Sequence, residues 1–396
     1  MISCPSTPRP MSTRSSTDSQ TTTDYWMAEA IRIARERSGA LAHPNPRVGA
    51  VLVRNGRKVG EGFHVYDNRD HAEIVALRQA GNRARGASLY INLEPCCTTG
   101  RTGPCTKALI EAGVREVYAA MKDPNPQVAG RGFAELRRAG ITVQIGDQEE
   151  AARKINEDFA KWIKTGRPFV TLKTAATLDG RIALPGGKTT TAITGEAARA
   201  AAHRLFRHSA DALLTGIGTV LIDDPLLTDR SGLPRRKPLL RVVLDAKLRM
   251  PLKSKLVTKA QGDLAVFTAQ PLSSPRARAL IRSGVDVVRL PIRGGHIDLH
   301  SALAELAKRQ CVHVLIEAGA NLNGAALAAG IVDKMAIFYA PKFIGGAGLP
   351  LAEFPRKQAF PVKGLTNLSV QHFEPDILIE GYFRDVYGDN RARRKN

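Results

Sequence analysis

Four residues in the first third of the chain carry the chemistry that reads most directly. They are His71 and Glu73 in "HAE", and Cys96 and Cys105 in "LEPCCTTGRTGPC". Imidazole and thiolate are zinc ligands, and a zinc that works in catalysis keeps three protein ligands and leaves a fourth position to water. His71 and Cys105 each open a predicted helix, and the partial positive charge there favours thiolate over thiol. Zinc draws the pKa of such a water down to roughly 7. A carboxylate two residues after the histidine cannot share the ligand's direction, but it can flank the water. There it takes a proton and delivers it to a leaving nitrogen. Zn2+ is therefore expected on His71, Cys96 and Cys105, with Glu73 as the catalytic acid–base.

Taken singly, one histidine and two cysteines are more often structural. Their combination is what matters: His-x-Glu, Leu-Glu-Pro-Cys after a strand, and a second cysteine at a helix start. That is the nucleobase-deaminase arrangement. Nucleic-acid and cytidine deaminases place two residues between the cysteines; here eight intervene. The longer loop holds Gly100, Arg101 and Gly103, which suit close backbone approach to a charged ligand. Cys97, Cys4 and Cys311 are expected to be bystanders.

The elements that must position these residues alternate. Trp26–Arg37 is amphipathic. "VGAVLVRNGRKVGEGF" is a hairpin around Asn55-Gly56. "HAEIVALRQAG" is a short helix closed by Gly81, and "ASLYINL" a strand. "PCTKALIEAG" is a helix with Pro104 at its first turn. Strand, helix and strand follow at "REVYAAM", "GFAELRRAG" and "ITVQI". This order predicts one sheet covered by helices. "GDQEEAARKINEDFAKWIKTGRP" reads as a helical connector. A second alternating unit then opens with the strand "FVTLKTA" and a helix from Thr194, its expected N-cap. Strands follow at "ADALLTG", "LRVVLD", "DLAVFT", "VDVVRL", "VHVLIEA", "DKMAIFYAP" and "ILIEGYF". The expected organisation is a disordered lead over 1–24, a zinc deaminase domain over 25–147, a connector over 148–167, a second α/β domain over 168–385 and a basic tail over 386–396.

Composition agrees with two domains: 396 residues, 43% apolar and 24% charged. No apolar run approaches the length of a membrane span, and the first residues lack a signal-peptide core. Five cysteines without a regular framework suit a reducing cytoplasm. The net charge of +21 raises nucleic-acid binding. The basic residues are spread along the chain, however, so they read as background plus partners for a phosphorylated small substrate.

"NPRVGAVLV" (45–53), "HAE" (71–73), "LEPCCTTGRTGPC" (93–105) and "DPNPQVAGRG" (123–132) resemble the bifunctional riboflavin-biosynthesis deaminase–reductase family, RibD. So do "LKTAATLDGRIA" (172–183), "GIGTVLIDDPLLTDR" (216–230) and "LIEAGANLNG" (315–324). The resemblance covers about residues 25–385. It implies a cytidine-deaminase-like three-layer α/β domain followed by a dihydrofolate-reductase-like domain. The first would deaminate 2,5-diamino-6-ribosylamino-4(3H)-pyrimidinone 5′-phosphate, and the second would use NADPH to reduce the ribosyl group to ribityl. Zinc on His71, Cys96 and Cys105, with Glu73 as proton shuttle, is implied again, and Asn45 would lie near the pyrimidine. Thr98 stands where the family often has His.

No G-x-G-x-x-G opens the second unit. Gly319 and Gly324, between a strand and a helix, offer backbone N–H groups to phosphates. The resemblance implies that Ala175, Ala192, Thr219, Asp223 and the Gly319–Ala325 loop (Gly319, Ala320, Asn321, Leu322, Asn323, Gly324, Ala325) line the dinucleotide. Thr190, Arg207, Leu227, Arg230 and Glu317 would face the substrate, with Lys173 and Asp179 as neighbours. One residue is inserted near "GGKTTTA" relative to the family pattern. Guanidinium forks match phosphate oxygens, so Arg207 and Arg230 make sense as phosphate partners. Glu317 ends an apolar strand, where a buried carboxylate needs a partner. No acid or base for the hydride step stands out, so that half would work by holding donor and acceptor together.

The expected partner is a phosphorylated pyrimidine, with no nucleic acid and no membrane; a homo-oligomer is left open. The competing readings are a nucleic-acid base deaminase with a basic accessory domain, a zinc-stabilised binding module, and a deaminase with a decayed reductase. The first predicts C-x-x-C and an aromatic groove, whereas aromatics are only 5% and the spacing differs.

Overall fold

A computed structural model describes residues 16–184, 192–354 and 364–388. The chain divides into two compact units, one comprising residues up to 38, 47–123 and 127–155, the other 39–46, 124–126 and 156 onward.

The first unit runs α1 (Ser16–Ile33), β1 (Gly49–Arg54), β2 (Arg57–Phe63), α2 (Ala72–Ala80), β3 (Ser88–Ile91), α3 (Cys105–Glu111), β4 (Glu116–Ala119), α4 (Arg131–Arg138), β5 (Thr142–Ile145) and α5 (Glu149–Ile155). Residues 16–24 were expected in the disordered lead, yet they belong to α1. Extending a helix that is already docked costs little per residue, and Ala30 and Ile33 dock this one. Residues 1–15 lie outside the described residues. The hairpin turn has both Asn55 (φ 52°) and Gly56 (φ 72°) left-handed, as a type I′ turn demands.

The five strands lie in the order β2-β1-β3-β4-β5, antiparallel from β2 to β3 and parallel from β3 to β5. Strand alternation sends Val51 and Val53 to one face, against Ala30 and Ile33 of α1. The opposite face carries Ala50 and Leu52, paired with Gly62 and Gly60. A Cβ on Gly60 would lie 2.4 Å from the carbonyl oxygen of Ala76, and one on Gly62 2.1 Å from that of Ala72. The two glycines thus let α2 seat directly on β2, and the result is three layers.

The second unit contains α6 (Glu157–Thr165), β6 (Phe169–Thr177), β7 (Arg181–Ala183), α7 (Glu196–Ala202), β8 (Ala212–Gly216), α8 (Ile217–Asp223), β9 (Leu240–Leu244), α9 (Lys255–Thr258), β10 (Leu264–Thr268), α10 (Pro275–Arg282), β11 (Asp286–Arg289), β12 (Ile292–Arg293), β13 (His296–Ile297), α11 (Leu299–Lys308), β14 (His313–Ile316), α12 (Ala320–Ala328), β15 (Lys334–Ala340), β16 (Leu349–Pro350), β17 (Thr366–Phe373) and β18 (Asp376–Tyr382). The predicted single connector helix breaks at buried Asn156 into α5 and α6. The N-cap of α7 is Gly195, not Thr194, and Asp376 Oδ2 accepts the Gly195 N–H at 2.7 Å.

Nine strands form one sheet in the order β11-β10-β9-β8-β14-β6-β15-β18-β17. It is parallel from β11 to β15 and antiparallel at β18 and β17. Residues of α7, α8 and α10 pack one face, with Ala202, Val220 and Leu280 in the core. Residues of α11 and α12 pack the other, with Leu306 and Leu327. Neighbouring strands β8 and β14 therefore send their helices to opposite faces. That divergence opens a crevice at the carboxyl ends of the strands, where α/β sheets bind ligands.

Candidate active sites

The cluster in the first unit forms at the carboxyl end of β3 and the N-termini of α2 and α3. His71 is the N-cap of α2, which places Glu73 in its first turn. Pro104 caps α3 and Cys105 opens it. Asn92, fully buried after β3, accepts the Gly49 N–H and donates to the Arg47 carbonyl, both at 2.9 Å. The cysteine loop is thereby tied to the start of β1.

His71 Nδ1 lies 3.2 Å from Cys105 Sγ and 3.3 Å from Cys96 Sγ. The three ligand atoms all lie within 4.8 Å of one another. The Cys105 backbone N–H also points at Cys96 Sγ, at 3.4 Å. One imidazole nitrogen and two sulfurs converging on a point are the donor set that zinc takes. Cys97 stands outside this cluster, and buried Cys311 packs in the core of the second unit. Cys4 lies outside the described residues.

Charge in the cluster is uneven. A hydrogen bond from Cys105, helped by His71, holds the Cys96 thiol down at about 4 despite its burial. The same contact pushes the Cys105 thiol up in return. His71 is raised to about 9, first by its hydrogen bond to Cys96. Glu73 is 3% exposed, and burial lifts its carboxyl to about 7. A dication among these three atoms would satisfy both sulfurs at once.

Glu94 had no role in the sequence reading, and the structure gives it one. Its buried carboxylate accepts N–H groups from Asp123 (3.1 Å), Gly130 (2.8 Å), Gly132 (3.0 Å) and Phe133 (3.4 Å). One side chain thus ties "LEPCC" to "DPNPQVAGRG". An acid in an otherwise apolar strand end was the available signal. Arg101 stacks over Tyr66 at 4.2 Å and donates to its carbonyl at 3.0 Å. Thr98 is half-buried in the same loop. Asn45 is half-buried on a turn, its N–H bonded to the Ala42 carbonyl at 2.9 Å, and it belongs to the second unit.

In the second unit Gly216 caps α8 and Gly319 caps α12, side by side at the crevice. Leu322 Cδ2 would lie 3.8 Å from a Cβ on Gly216. Thr219 and the exposed Asp223 ride on α8, and Ala175 lies on β6. The stretch 319–325 is not a loop, because Ala320 already opens α12. Nor is it all free to line a dinucleotide. A Cβ on Gly324 would fall 2.0 Å from the Glu353 carbonyl oxygen, and buried Asn323 donates to the Leu351 carbonyl at 2.9 Å. These two residues hold the 351–353 segment; Gly319, Asn321, Leu322 and Ala325 keep exposure. Leu227 was expected to face the substrate. Its left-handed backbone (φ 53°) turns the side chain into the core, which leaves only its main chain for such a contact. Thr190 lies outside the described residues, and Ala192 is exposed beside them. Asp179 accepts the Gly345 N–H at 2.7 Å and so braces a loop.

The residues of the chain match two family descriptions: "Cytidine and deoxycytidylate deaminase zinc-binding region" over residues 20–121 and "RibD C-terminal domain" over residues 168–379. The riboflavin biosynthesis protein RibD of Aquifex aeolicus is 38% identical over 89% of this chain and 96% of its own length. That of Escherichia coli is 38% identical over 90% and 98%. The chain belongs to the RibD family. Among solved structures, Acinetobacter baumannii RibD superposes with a TM-score of 0.78 at 37% identity, covering 92% of this chain and 99% of that one. A Thermotoga maritima diaminohydroxyphosphoribosylaminopyrimidine deaminase/5-amino-6-(5-phosphoribosylamino)uracil reductase gives 0.77 at 32%, with the same coverage. This RibD-family chain is accordingly a bifunctional enzyme of riboflavin biosynthesis: a zinc-dependent deaminase in its first half and an NADPH-dependent reductase in its second. Among the described residues, no helix is long and apolar enough to cross a membrane.

Proposed function

We propose that the first unit deaminates 2,5-diamino-6-ribosylamino-4(3H)-pyrimidinone 5′-phosphate and that the second reduces the ribosyl group of the product, 5-amino-6-(5-phosphoribosylamino)uracil, to ribityl. The two activities in the name of the Thermotoga relative support this pair of substrates. The observation that carries the reading is the buried Glu73 beside the three-donor cluster of His71, Cys96 and Cys105. These three hold zinc, which when bound makes water nucleophilic near neutral pH. Glu73 accepts a proton from the attacking water and returns it to the amino nitrogen as the C–N bond breaks. The water oxygen stays on the ring carbon and ammonia departs.

In the second unit NADPH supplies a hydride, and the chain supplies placement. The caps of α8 and α12 flank the dinucleotide crevice, where their backbone N–H groups suit phosphates. Glu317, Arg207 and Arg230 face the substrate. Cysteines without a disulfide, Cys97 and Cys311 as well as the two zinc ligands, fit a reducing cytoplasm as the place of work.

The test is to incubate the purified protein with the diaminopyrimidine, with and without NADPH, and to weigh the products. The expected result is exchange of one amino group for oxygen without NADPH, and a further gain of two hydrogens with it. An unchanged mass in both conditions overturns the reading.

A further inference from the structure

Arg207 and Arg230 are both expected at the substrate, but the fold treats them differently. Arg207 is committed internally: Nε and Nη2 donate to Glu317 at 3.0 and 2.7 Å, and Nη1 donates to the Thr228 carbonyl at 2.9 Å. Arg230 has no carboxylate partner among the described residues, and it is exposed. Its one polar neighbour of note is His203, 8% exposed. The Arg230 backbone N–H lies 3.1 Å from His203 Nδ1, and its guanidinium Nη2 lies 3.0 Å from Nε2.

His203 reaches this place through a widened turn. Residues His203–Arg207 form a π-type turn at the end of α7, and the His208 N–H bonds to the His203 carbonyl at 2.9 Å. Such turns carry one extra residue within a helix and concentrate at functional sites. The ring is walled in by cations: burial first, then Arg207 and Arg230, lower its pKa to about 4. A neutral imidazole accepts at one nitrogen only. Either Nδ1 accepts the Arg230 backbone N–H, or Nε2 accepts the guanidinium through Nε and Nη2 at 3.2 and 3.0 Å. In both tautomers the ring holds Arg230 at one nitrogen and brings no negative charge, which leaves the remaining guanidinium N–H groups for an anion.

We infer that His203 is a positioning residue of the reductase: it holds Arg230 through one ring nitrogen and so directs its guanidinium towards the phosphate of the substrate. The inference rests on the reading that a phosphorylated substrate binds in this unit beside Arg230. A guanidinium held in place loses less freedom on binding phosphate than one that must be ordered. The phosphate source is the 5′-phosphate of the ribosylaminouracil, and the pyrophosphate of NADPH is the alternative that the test separates.

The experiment uses the full-length enzyme, the deaminated substrate with and without its 5′-phosphate, and NADPH oxidation as the signal. His203→Ala should raise KM for the phosphorylated substrate by roughly fivefold to tenfold, the scale of one ordinary hydrogen bond. kcat and KM for NADPH should stay within about twofold of the parent. The preference for the phosphorylated over the dephosphorylated substrate should shrink by the same factor, because a merely structural lesion lowers both alike. His203→Gln, which keeps an acceptor, should recover part of the loss. In an Arg230→Ala background His203→Ala should add almost nothing. Equal losses on both substrates, a raised KM for NADPH, or full additivity with Arg230→Ala overturns the role of His203. If Arg230→Ala itself leaves the phosphate preference intact, the underlying reading of Arg230 fails instead.

Discussion

Glu317 and Arg207 face each other through two parallel hydrogen bonds, with their side chains 12% and 14% exposed. The pair sits where β14 ends, at the mouth of the crevice. Burial opposes the charge on Glu317, but Lys173 and Arg207 outweigh it and hold the carboxyl at about 2. A depressed carboxyl stabilises the fold above its unfolded value near 4.5 and loses that contribution as pH falls towards 2. Glu317→Gln should therefore be less stable than the parent at pH 6, and the gap should narrow as pH falls from about 4.5 towards 2. Urea unfolding of both proteins at several pH values checks this; a gap that does not change with pH would be the wrong result.

Removing the other partner should cost more. Arg207→Ala leaves a carboxylate in a mostly buried place without its fork, a loss of about 3 kcal/mol. Arg207→Lys should recover only part, since an ammonium cannot make two parallel bonds. Chemical denaturation of the full chain reads both effects. Equal stability of the lysine variant and the parent would contradict the bidentate role.

The two activities should separate on metal removal. Chelation, or Cys105→Ser, should abolish deamination while NADPH oxidation on the deaminated substrate continues. Glu73→Gln should keep its zinc and still lose at least about a hundredfold in deamination, the usual weight of a positioned proton carrier. Metal content and the two half-reactions, measured on the same preparations, decide it. A Glu73→Gln protein that turns over normally would remove the proton shuttle from the mechanism.

The metal cluster was legible in the sequence because its chemistry demands residue types and places them at element starts. His71 and Cys105 do stand at helix beginnings. The hairpin was legible for the same reason, since Asn55-Gly56 has few other uses. What escaped was set by tertiary contact. β17 is almost wholly exposed and alternates only at Leu368 and Val370, too short a signal to mark it as a strand. Gly324 looked like a phosphate-facing glycine until the 351–353 segment covered it. Leu227 turned inward because of a backbone angle that no spacing encodes. His203 carried no signal, because its neighbour Arg230 is distant in the chain and the turn that presents it departs from the regular helix.

The seat of α2 offers a further prediction. Gly62→Ala sets a methyl 2.1 Å from the Ala72 carbonyl oxygen, so the helix must lift. That shift moves His71 and Glu73 together. Loss of about 2 kcal/mol in stability and weaker zinc retention should follow. Gly56→Ala is the control: it is strained by its left-handed backbone but meets nothing within 4 Å. It should keep full zinc affinity. Competition with a metal-binding dye compares the two, and equal affinities would mean that the helix has room to spare.

Glu94 provides the last prediction. Its carboxylate gathers N–H groups from both ends of the segment between Asp123 and Phe133, two residues before Cys96. Glu94→Ala would leave these donors to water or to nothing, at a cost of about 2–4 kcal/mol. Glu94→Gln keeps one acceptor oxygen but brings an amide N–H against a donor, so it should fall in between. Because the same strand end carries Cys96, the alanine variant should also release zinc faster, whereas a lesion confined to the loop would not change that rate. Stopped-flow chelation measures the release. Unchanged stability together with an unchanged release rate would show that the loop holds itself, and that Glu94 is only one of its several supports.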